Sequence, residues 1–302
     1  MTDLLCFGVQ CSTQPLSRVL SVDLHAHSTA SDGLLSPASL VRRAAENGVD
    51  VLALTDHDET GGVAEATEAA KACGVRLVPG VEISVTWRGT TIHIVGLDID
   101  TRCEALQAGL ASVRRGRQTR ATRIAADLAR VGIVDSLEGA SRYAGNPELI
   151  GRTHFARYLV ECGLASEPRD VFKRYLSEGK PGFVLHEWAS LESAVSWIRA
   201  AGGAAVIAHP GRYRVTSQKL ADLAREFRDL GGTGIEVVAP SHRPDQFVAL
   251  ARFCRAWDLK ASAGSDFHGP GEQYLDLGRL PALPHGVTPI WADWAAASCG
   301  AH

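Results

Sequence analysis

The chain has 302 residues, 45% of them hydrophobic, and a formal net charge of −3, which suits one large domain or one domain with an insertion and excludes a generally basic nucleic-acid coat. It has no apolar run long enough to span a bilayer, and its first twenty residues, with Asp3, Gln10, Gln14 and Arg18, are not expected to act as a secretory signal. Seven scattered cysteines without a Cys-x-x-Cys spacing read as reduced thiols of a cytoplasmic protein, with no membrane and no obligate protein partner expected.

Residues 1–18 show no period and are expected to form a flexible tail. An apolar strand over 19–25 ends in the run His25-Ala-His27. Ser36 and Pro37 open a helix that stops at Asn47-Gly48, with serine as N-cap and proline in the first turn. Residues 49–54 are a continuous apolar strand, as in a parallel sheet buried on both faces. A helix from about 62 to 73 stops at Gly74, and 75–79 is a third short strand. Residues 81–87 and 90–97 read as a hairpin turned at Arg88-Gly89. From Cys103 to about Leu176 the periodicity is helical only. Alternation resumes at Lys180, with helices over 191–200, 217–230 and 244–257 and strands over 204–208, 234–238 and 259–263. Residues 291–302 are expected to be a tail whose Trp291 and Trp294 seal the bottom or side of the fold. Two blocks of β/α alternation, 19–102 and 180–290, thus flank an all-helical insertion at 103–179.

Such alternation points to a βα barrel or a wound sheet. The placement of the ligand-type residues favours the barrel. His25 and His27 follow the first strand, His57 the second, Glu82 the third, His209 the strand over 204–208, and Asp266 and His268 the last. Residues at several strand ends are how a barrel builds one pocket from distant sequence. Imidazole and carboxylate suit zinc, manganese or iron. Residues i and i+2 of a strand share a side, so His25 and His27 can reach one ion. A carboxylate such as Glu82 can bridge two ions. One histidine beside one aspartate is as often a plain hydrogen-bonded pair as a ligand. Five or six such clusters at strand ends read as one multi-metal hydrolase site. His285 and His302 are expected in solvent, and His154, His186 and His242 at the pocket.

The segments Asp23-Leu-His25-Ala-His27, Thr55-Asp56-His57-Asp58, Gly80-Val-Glu82, Ala208-His209-Pro210-Gly211 and Gly264-Ser-Asp266-Phe-His268 resemble the PHP (polymerase and histidinol phosphatase) family over about residues 20–280. The resemblance implies a distorted (β/α)7 barrel with up to three divalent ions, manganese expected and zinc or iron admissible. It assigns His25, His27, Glu82 and Asp266 to the first ion, Glu82, His93 and His209 to the second, and Asp32, His57 and His268 to the third. A full set argues against a non-catalytic metal-binding module.

Residues 150–157 (Ile-Gly-Arg-Thr-His-Phe-Ala-Arg), 179–182, 186–190, Arg212-Tyr213 and Ser241-His242 are similar to a bacterial subgroup that acts on 3′,5′-nucleoside bisphosphates. That resemblance implies release of the 3′-phosphate by a hydroxide shared between two ions, with Asp266 and Glu82 at the reacting centre. The alternative is 5′-3′ trimming of short 5′-phosphorylated RNA at the same site. His242 is a candidate leaving-group acid. The insertion is expected to cap the barrel and supply phosphate-binding residues, with Arg117, Arg120, Arg152 and His154 from the insertion and Lys180, His186 and Arg212 from the segment after it as the candidate substrate contacts. Arg117, Arg120 and Arg123 are spaced by three and can share a helix face, and guanidinium forks match phosphate oxygens. Arg114, Arg115 and Arg130 are expected to stay solvated. A histidinol-phosphate phosphatase would want acidic residues in the cap, and the arginine-rich character of this insertion argues against that substrate.

Overall fold

The computed structural model describes residues 20–272, 274–292 and 294. Seven strands pair in chain order: β1 (Val22–Asp23), β2 (Val51–Leu54), β3 (Arg76–Trp87), β4 (Thr90–Leu97), β5 (Ala204–Ile207), β6 (Gly234–Val238) and β7 (Lys260–Ala263). The sheet rolls nearly into a barrel. Leu24 N–H donates to the Ala263 carbonyl at 3.0 Å and His27 N–H to the Phe267 carbonyl at 2.8 Å, which joins the first strand region to the last. Neighbouring strands are parallel except around β4, which runs antiparallel to both β3 and β5. This is the distorted (β/α)7 barrel expected from the sequence. Every residue of β2 and β6 is buried, as strands covered on both faces require.

Two expected strands are one. Residues 75–79 and 81–87 merge into the twelve-residue β3, whose first part pairs with β2 through Pro79 and whose remainder pairs with β4 from Gly80. Gly80 makes the changeover possible, because a Cβ there would lie 2.9 Å from the carbonyl oxygens of both Leu54 and Gly96. The hairpin turn falls where expected, with Arg88 and Gly89 both at positive φ, 45° and 74°. The first strand is shorter than expected, because the chain leaves the ladder after Asp23 to carry His25 and His27 across the barrel mouth.

The helices are α1 (Pro37–Glu46), α2 (Val63–Cys73), α3 (Glu104–Ala129), α4 (Ser136–Ser141), α5 (Arg152–Glu161), α6 (Pro168–Val171), α7 (Leu191–Ala200), α8 (Ser217–Asp229) and α9 (Pro244–Trp257). Ser36 caps α1 by accepting the Ser39 N–H at 3.2 Å, and Gly74 ends α2 at φ 70°. α3 to α6 have a hydrophobic cluster of their own around Ile124, Leu128, Phe155, Leu159 and Leu176. The boundary with the barrel is not sharp. Leu106 and Leu110, in the first half of α3, pack in the barrel's main cluster, whereas Val184 packs with the helices. α3 therefore links the two cores.

Residues 1–18 lie outside the described part of the chain, as do most of 291–302, His302 among them. Trp291 and Trp294 pack against Val22, Val51, Val78, Leu97 and Val206, at the end of the barrel away from the histidines. Among the described residues, Cys73, Cys103, Cys162 and Cys254 are free, His285 is exposed, and no helix is long and apolar enough to cross a membrane.

Candidate metal centre

Glu82 on β3 is the hub of the barrel mouth. Its Oε1 lies 2.8 Å from His93 Nδ1 and 2.9 Å from His209 Nε2, and its Oε2 lies 2.9 Å from His57 Nδ1 and 3.4 Å from the Nε2 of both His25 and His27. Asp266 Oδ1 approaches the same two Nε2 atoms at 3.5 and 3.3 Å. On the far side of His27, Asp32 Oδ1 lies 3.5 Å from His268 Nε2. Three groups have their ligand atoms mutually within 4.8 Å: His25, His27, Glu82 and Asp266; His57, Glu82 and His93; and His27, Asp32, His57 and His268. The nine residues singled out as ligands thus come together from seven separate places in the chain. The grouping differs from expectation in three respects. His27 stands with Asp32, His57 and His268 as well as with His25, Glu82 and Asp266. His57 stands beside Glu82 and His93 as well as beside Asp32, and His209 reaches Glu82 Oε1 without belonging to any of the tight groups.

The backbone is bent to achieve this. His209 and Asp266, together with Asp58 next to His57, have positive φ values of 26°, 48° and 53°. Such conformations cost non-glycine residues about 1–3 kcal/mol each and cluster at functional sites.

The donor set fits cations. Glu82 Oε2 and Asp32 Oδ1 are buried without any hydrogen-bond donor, and the Nε2 atoms of His25 and His27 face each other at 3.1 Å. Burial of bare carboxylate oxygens is costly unless a positive charge compensates. Burial pushes Glu82 up, but His93, His57 and His25 together pull it well below the usual range. Burial lowers His27 to about 3 and His93 to about 4, towards the neutral imidazole that ligates, whereas Glu82 and Asp32 overcome burial at His57 and raise it to about 9.

A supporting layer orients these groups. Glu236 on β6 bonds His25 Nδ1 through Oε1 and accepts the His209 N–H through Oε2, both at 2.6 Å. Asp23 accepts N–H groups from Ser265 and Gly278. Asp56 accepts from Ser28 and Ser31, and burial raises it to about 6. Carboxylates that fix imidazole orientation matter to metal affinity nearly as much as the ligands do. The sequence reading missed Glu236. Its signal was a lone carboxylate inside the otherwise apolar strand Gly-Ile-Glu-Val-Val.

A cleft joins this centre to the helical insertion. Asp32, His57, His93 and His268 line one wall, and Arg117, Arg120, Arg152, His186, Trp188 and Arg212 contribute to the other. The arginines are not equivalent. Arg117 is held by Asp58 at 2.6 Å and by Ser84 Oγ at 2.8 Å, which neutralises it. Arg120 donates to the Val184 carbonyl and lies over Trp188, and Arg152 lies over Phe172. Among the described residues neither faces a carboxylate. Burial, then repulsion from neighbouring arginines, lowers Arg120 to about 9 and Arg152 to about 10. Arg212 is half exposed, 3.8 Å from Asp266. α3 carries Gly116 opposite His186, where a Cβ would lie 2.6 Å from Nε2, so the helix and His186 pack face to face at the rim.

Three expected site residues are placed elsewhere. Lys180 is exposed and does not line the cleft, because the chain turns outward after the helices. His154 is fully buried below the cleft, where its Nδ1 accepts the Gly151 N–H at 3.0 Å. His242 is buried with both nitrogens engaged: Nδ1 donates to the Val237 carbonyl and Nε2 accepts the Gly211 N–H, each at 3.0 Å. It is a neutral ring that braces the His209-Pro-Gly turn and has no proton to deliver to a leaving group. Arg123 is exposed and does not line the cleft. Arg114 corrects the expectation of a solvated side chain, since it donates to the Asp58 carbonyl and pairs with Glu59 and Glu148. Arg115 and Arg130 are exposed as expected.

The profile of the PHP domain matches residues 23–237. The chain belongs to the PHP domain family. A 3′,5′-nucleoside bisphosphate phosphatase from Chromobacterium violaceum is 50% identical over 276 residues, 91% of this chain and 97% of that protein. The 5′-3′ exoribonuclease Rnm of Escherichia coli is 45% identical over 274 residues, 90% of this chain and 93% of that one. Among solved structures, an amidohydrolase from Chromobacterium violaceum with bound sulfate and no metal superimposes with a TM-score of 0.88 at 49% identity, covering 91% of this chain and 96% of the other. A proposed metal-dependent phosphoesterase from Bifidobacterium adolescentis gives 0.77 at 27% identity, covering 93% and 96%. These PHP relatives are matched over barrel and insertion alike.

Proposed function

We propose that this PHP protein is a metal-dependent phosphoesterase that removes the 3′-phosphate from 3′,5′-nucleoside bisphosphates. The observation that carries this reading is a pair of largely buried guanidinium groups, Arg120 and Arg152, with no carboxylate partner among the described residues, across a cleft from the carboxylate–imidazole cluster. Buried unpaired cations call for an anion. A substrate with phosphates at both ends places one on the arginines and the other at the cluster.

His25, His27, Glu82 and Asp266 would hold one divalent cation. Glu82, His93 and His209 would hold a second, and Asp32, His57 and His268 a third, with His57 between the last two. Manganese suits the set, as do zinc and iron. Such cations supply Lewis acidity, polarising the phosphoryl group and acidifying water. The chain's own side chains do the rest. Glu236 fixes the ring of His25 and the backbone at His209. Arg120 and Arg152 orient the far phosphate by paired hydrogen bonds, which converts binding energy into alignment of the reacting end. Trp188 and Phe172, under those two guanidinium groups, keep water from their faces. The four free cysteines suit a cytoplasmic setting.

The second reading is 5′-3′ hydrolysis of short 5′-phosphorylated RNA. Relatives with that activity in Haemophilus influenzae and Escherichia coli, each 45% identical, favour it. Both reactions put a 5′-phosphate on the arginines and a 3′-phosphoester at the cluster. Histidinol phosphate fits less well, because Asp32 is the only carboxylate among the described residues that line the cleft, and it belongs to the cluster. The deciding experiment measures kcat/KM with manganese on adenosine 3′,5′-bisphosphate, adenosine 3′-monophosphate and a 5′-phosphorylated tetraribonucleotide. The bisphosphate is expected to be the best substrate and the 3′-monophosphate far worse. Equal rates on the two nucleotides would remove the role of the arginine pair, and a faster rate on the oligonucleotide would favour the second reading.

A further inference from the structure

We propose that the helical insertion completes the third cation set: Arg157 on α5 and Arg117 on α3 act as positioning residues that hold the loops carrying Asp32, His268 and His57. The inference rests on the reading above that these three residues bind an ion.

Arg157 is buried and forms a two-pronged pair with Glu272, Nε and Nη2 each 2.7 Å from a carboxylate oxygen. The same Nη2 donates to the backbone carbonyl of Asp32 at 2.7 Å. One guanidinium thus spans the loop after β1, which carries Asp32, and the loop after β7, which carries His268. The same two loops also meet where the Leu34 N–H donates to the His268 carbonyl and where Asp32 Oδ1 lies 3.5 Å from His268 Nε2. A planar fork holds such a three-point geometry where a lysine cannot. On the other side, Arg117 grips the carboxylate of Asp58, and Arg114 donates to its carbonyl. Asp58 directly follows His57 and has φ 53°, so external bonds hold this unfavourable turn in place.

The first set is held differently. His25 is oriented by Glu236 on β6, and Glu82 is itself part of β3. Among the described residues neither has a hydrogen bond to the insertion. The two kinds of support predict two kinds of affinity. α5 also carries Arg152 into the cleft five residues before Arg157, so one helix serves both the arginine wall and the clamp on the Asp32 loop.

The test is metal content after equilibration with buffered free manganese, on the full-length protein and its R157M, R157K and E272Q variants. The wild type is expected to hold three equivalents. R157M and E272Q should keep two and bind the last about 10–100-fold more weakly, as is usual when a supporting contact to a ligand is lost. R157K should not restore it. The electron-spin signal of the manganese pair should be unchanged in all three variants. E272Q breaks the clamp from the barrel side and serves if R157M does not fold. Variants that retain three equivalents at wild-type affinity, or that lose all equivalents together, overturn the inference. A wild type that binds only two overturns the three-ion reading beneath it, a result distinguishable from the first.

Discussion

The barrel mouth and the helical insertion both concentrate charge, but they handle it in opposite ways. At the mouth, carboxylates and imidazoles crowd around Glu82, and buried oxygens of Glu82 and Asp32 are left without donors. In the insertion most of the arginines close to the barrel are consumed: Arg117 by Asp58, Arg114 by Glu59 and Glu148, Arg157 by Glu272. Arg120 and Arg152 are the exceptions. On the proposed reading the incomplete pairings mark function, an excess of acceptors where cations would bind and two guanidinium groups without a carboxylate where an anion would bind. A count of arginines on α3 does not separate the structural from the functional ones. Their partners do.

The sharpest break of this comparison is at its centre. Glu82→Gln removes the charge shared by the first two sets, and turnover at saturating manganese should fall by roughly 10³-fold or more with the circular dichroism spectrum preserved. Activity within tenfold of the parent would show that the acceptor-rich mouth is not the reacting centre. Next in size is Arg152→Ala. Losing a charge-assisted contact of about 1.5–3 kcal/mol should lower kcat/KM for a 3′,5′-bisphosphate by roughly 10–100-fold, mainly through KM, with little change for a substrate lacking the 5′-phosphate. An equal loss on both substrates would contradict the assignment of the far phosphate to the insertion.

His242→Gln probes the boundary between the regions. Loss of a proton donor costs about 10²–10⁴-fold. A ring that only braces the His209 turn should cost less than about tenfold in kcat and leave the alkaline limb of the pH profile in place, and disappearance of that limb would return His242 to catalysis. The smallest effect belongs to Lys180→Ala, which should leave stability within about 0.5 kcal/mol and kcat/KM unchanged, as exposed positions do. A selective rise in KM for the bisphosphate would mean that Lys180 swings into the cleft.

Much of this arrangement was legible beforehand. α7 and α9, β4 and β6 fall where periodicity and capping put them, because Ser190, Pro244 and the Arg88-Gly89 turn are local signals whose physics needs no distant partner. The His25-Ala-His27 spacing and the strand-end positions of His57, His209 and Asp266 were visible for the same reason. What was not visible depends on pairing across the chain. β3 is one strand instead of two because Gly80 slips between carbonyls contributed by β2 and β4. Glu236 supports two histidines from within a strand that reads as plain core.

The order of strands and helices and the identity of the ligand-type residues were thus set by amino-acid pattern alone, since hydrophobic period, turn chemistry and short motifs act over a few residues. Which of those residues face one another, and which cleft arginines have no carboxylate partner among the described residues, was decided only in three dimensions. A charge's role depends on its partner, and a partner here can lie 211 residues away, as between His25 and Glu236.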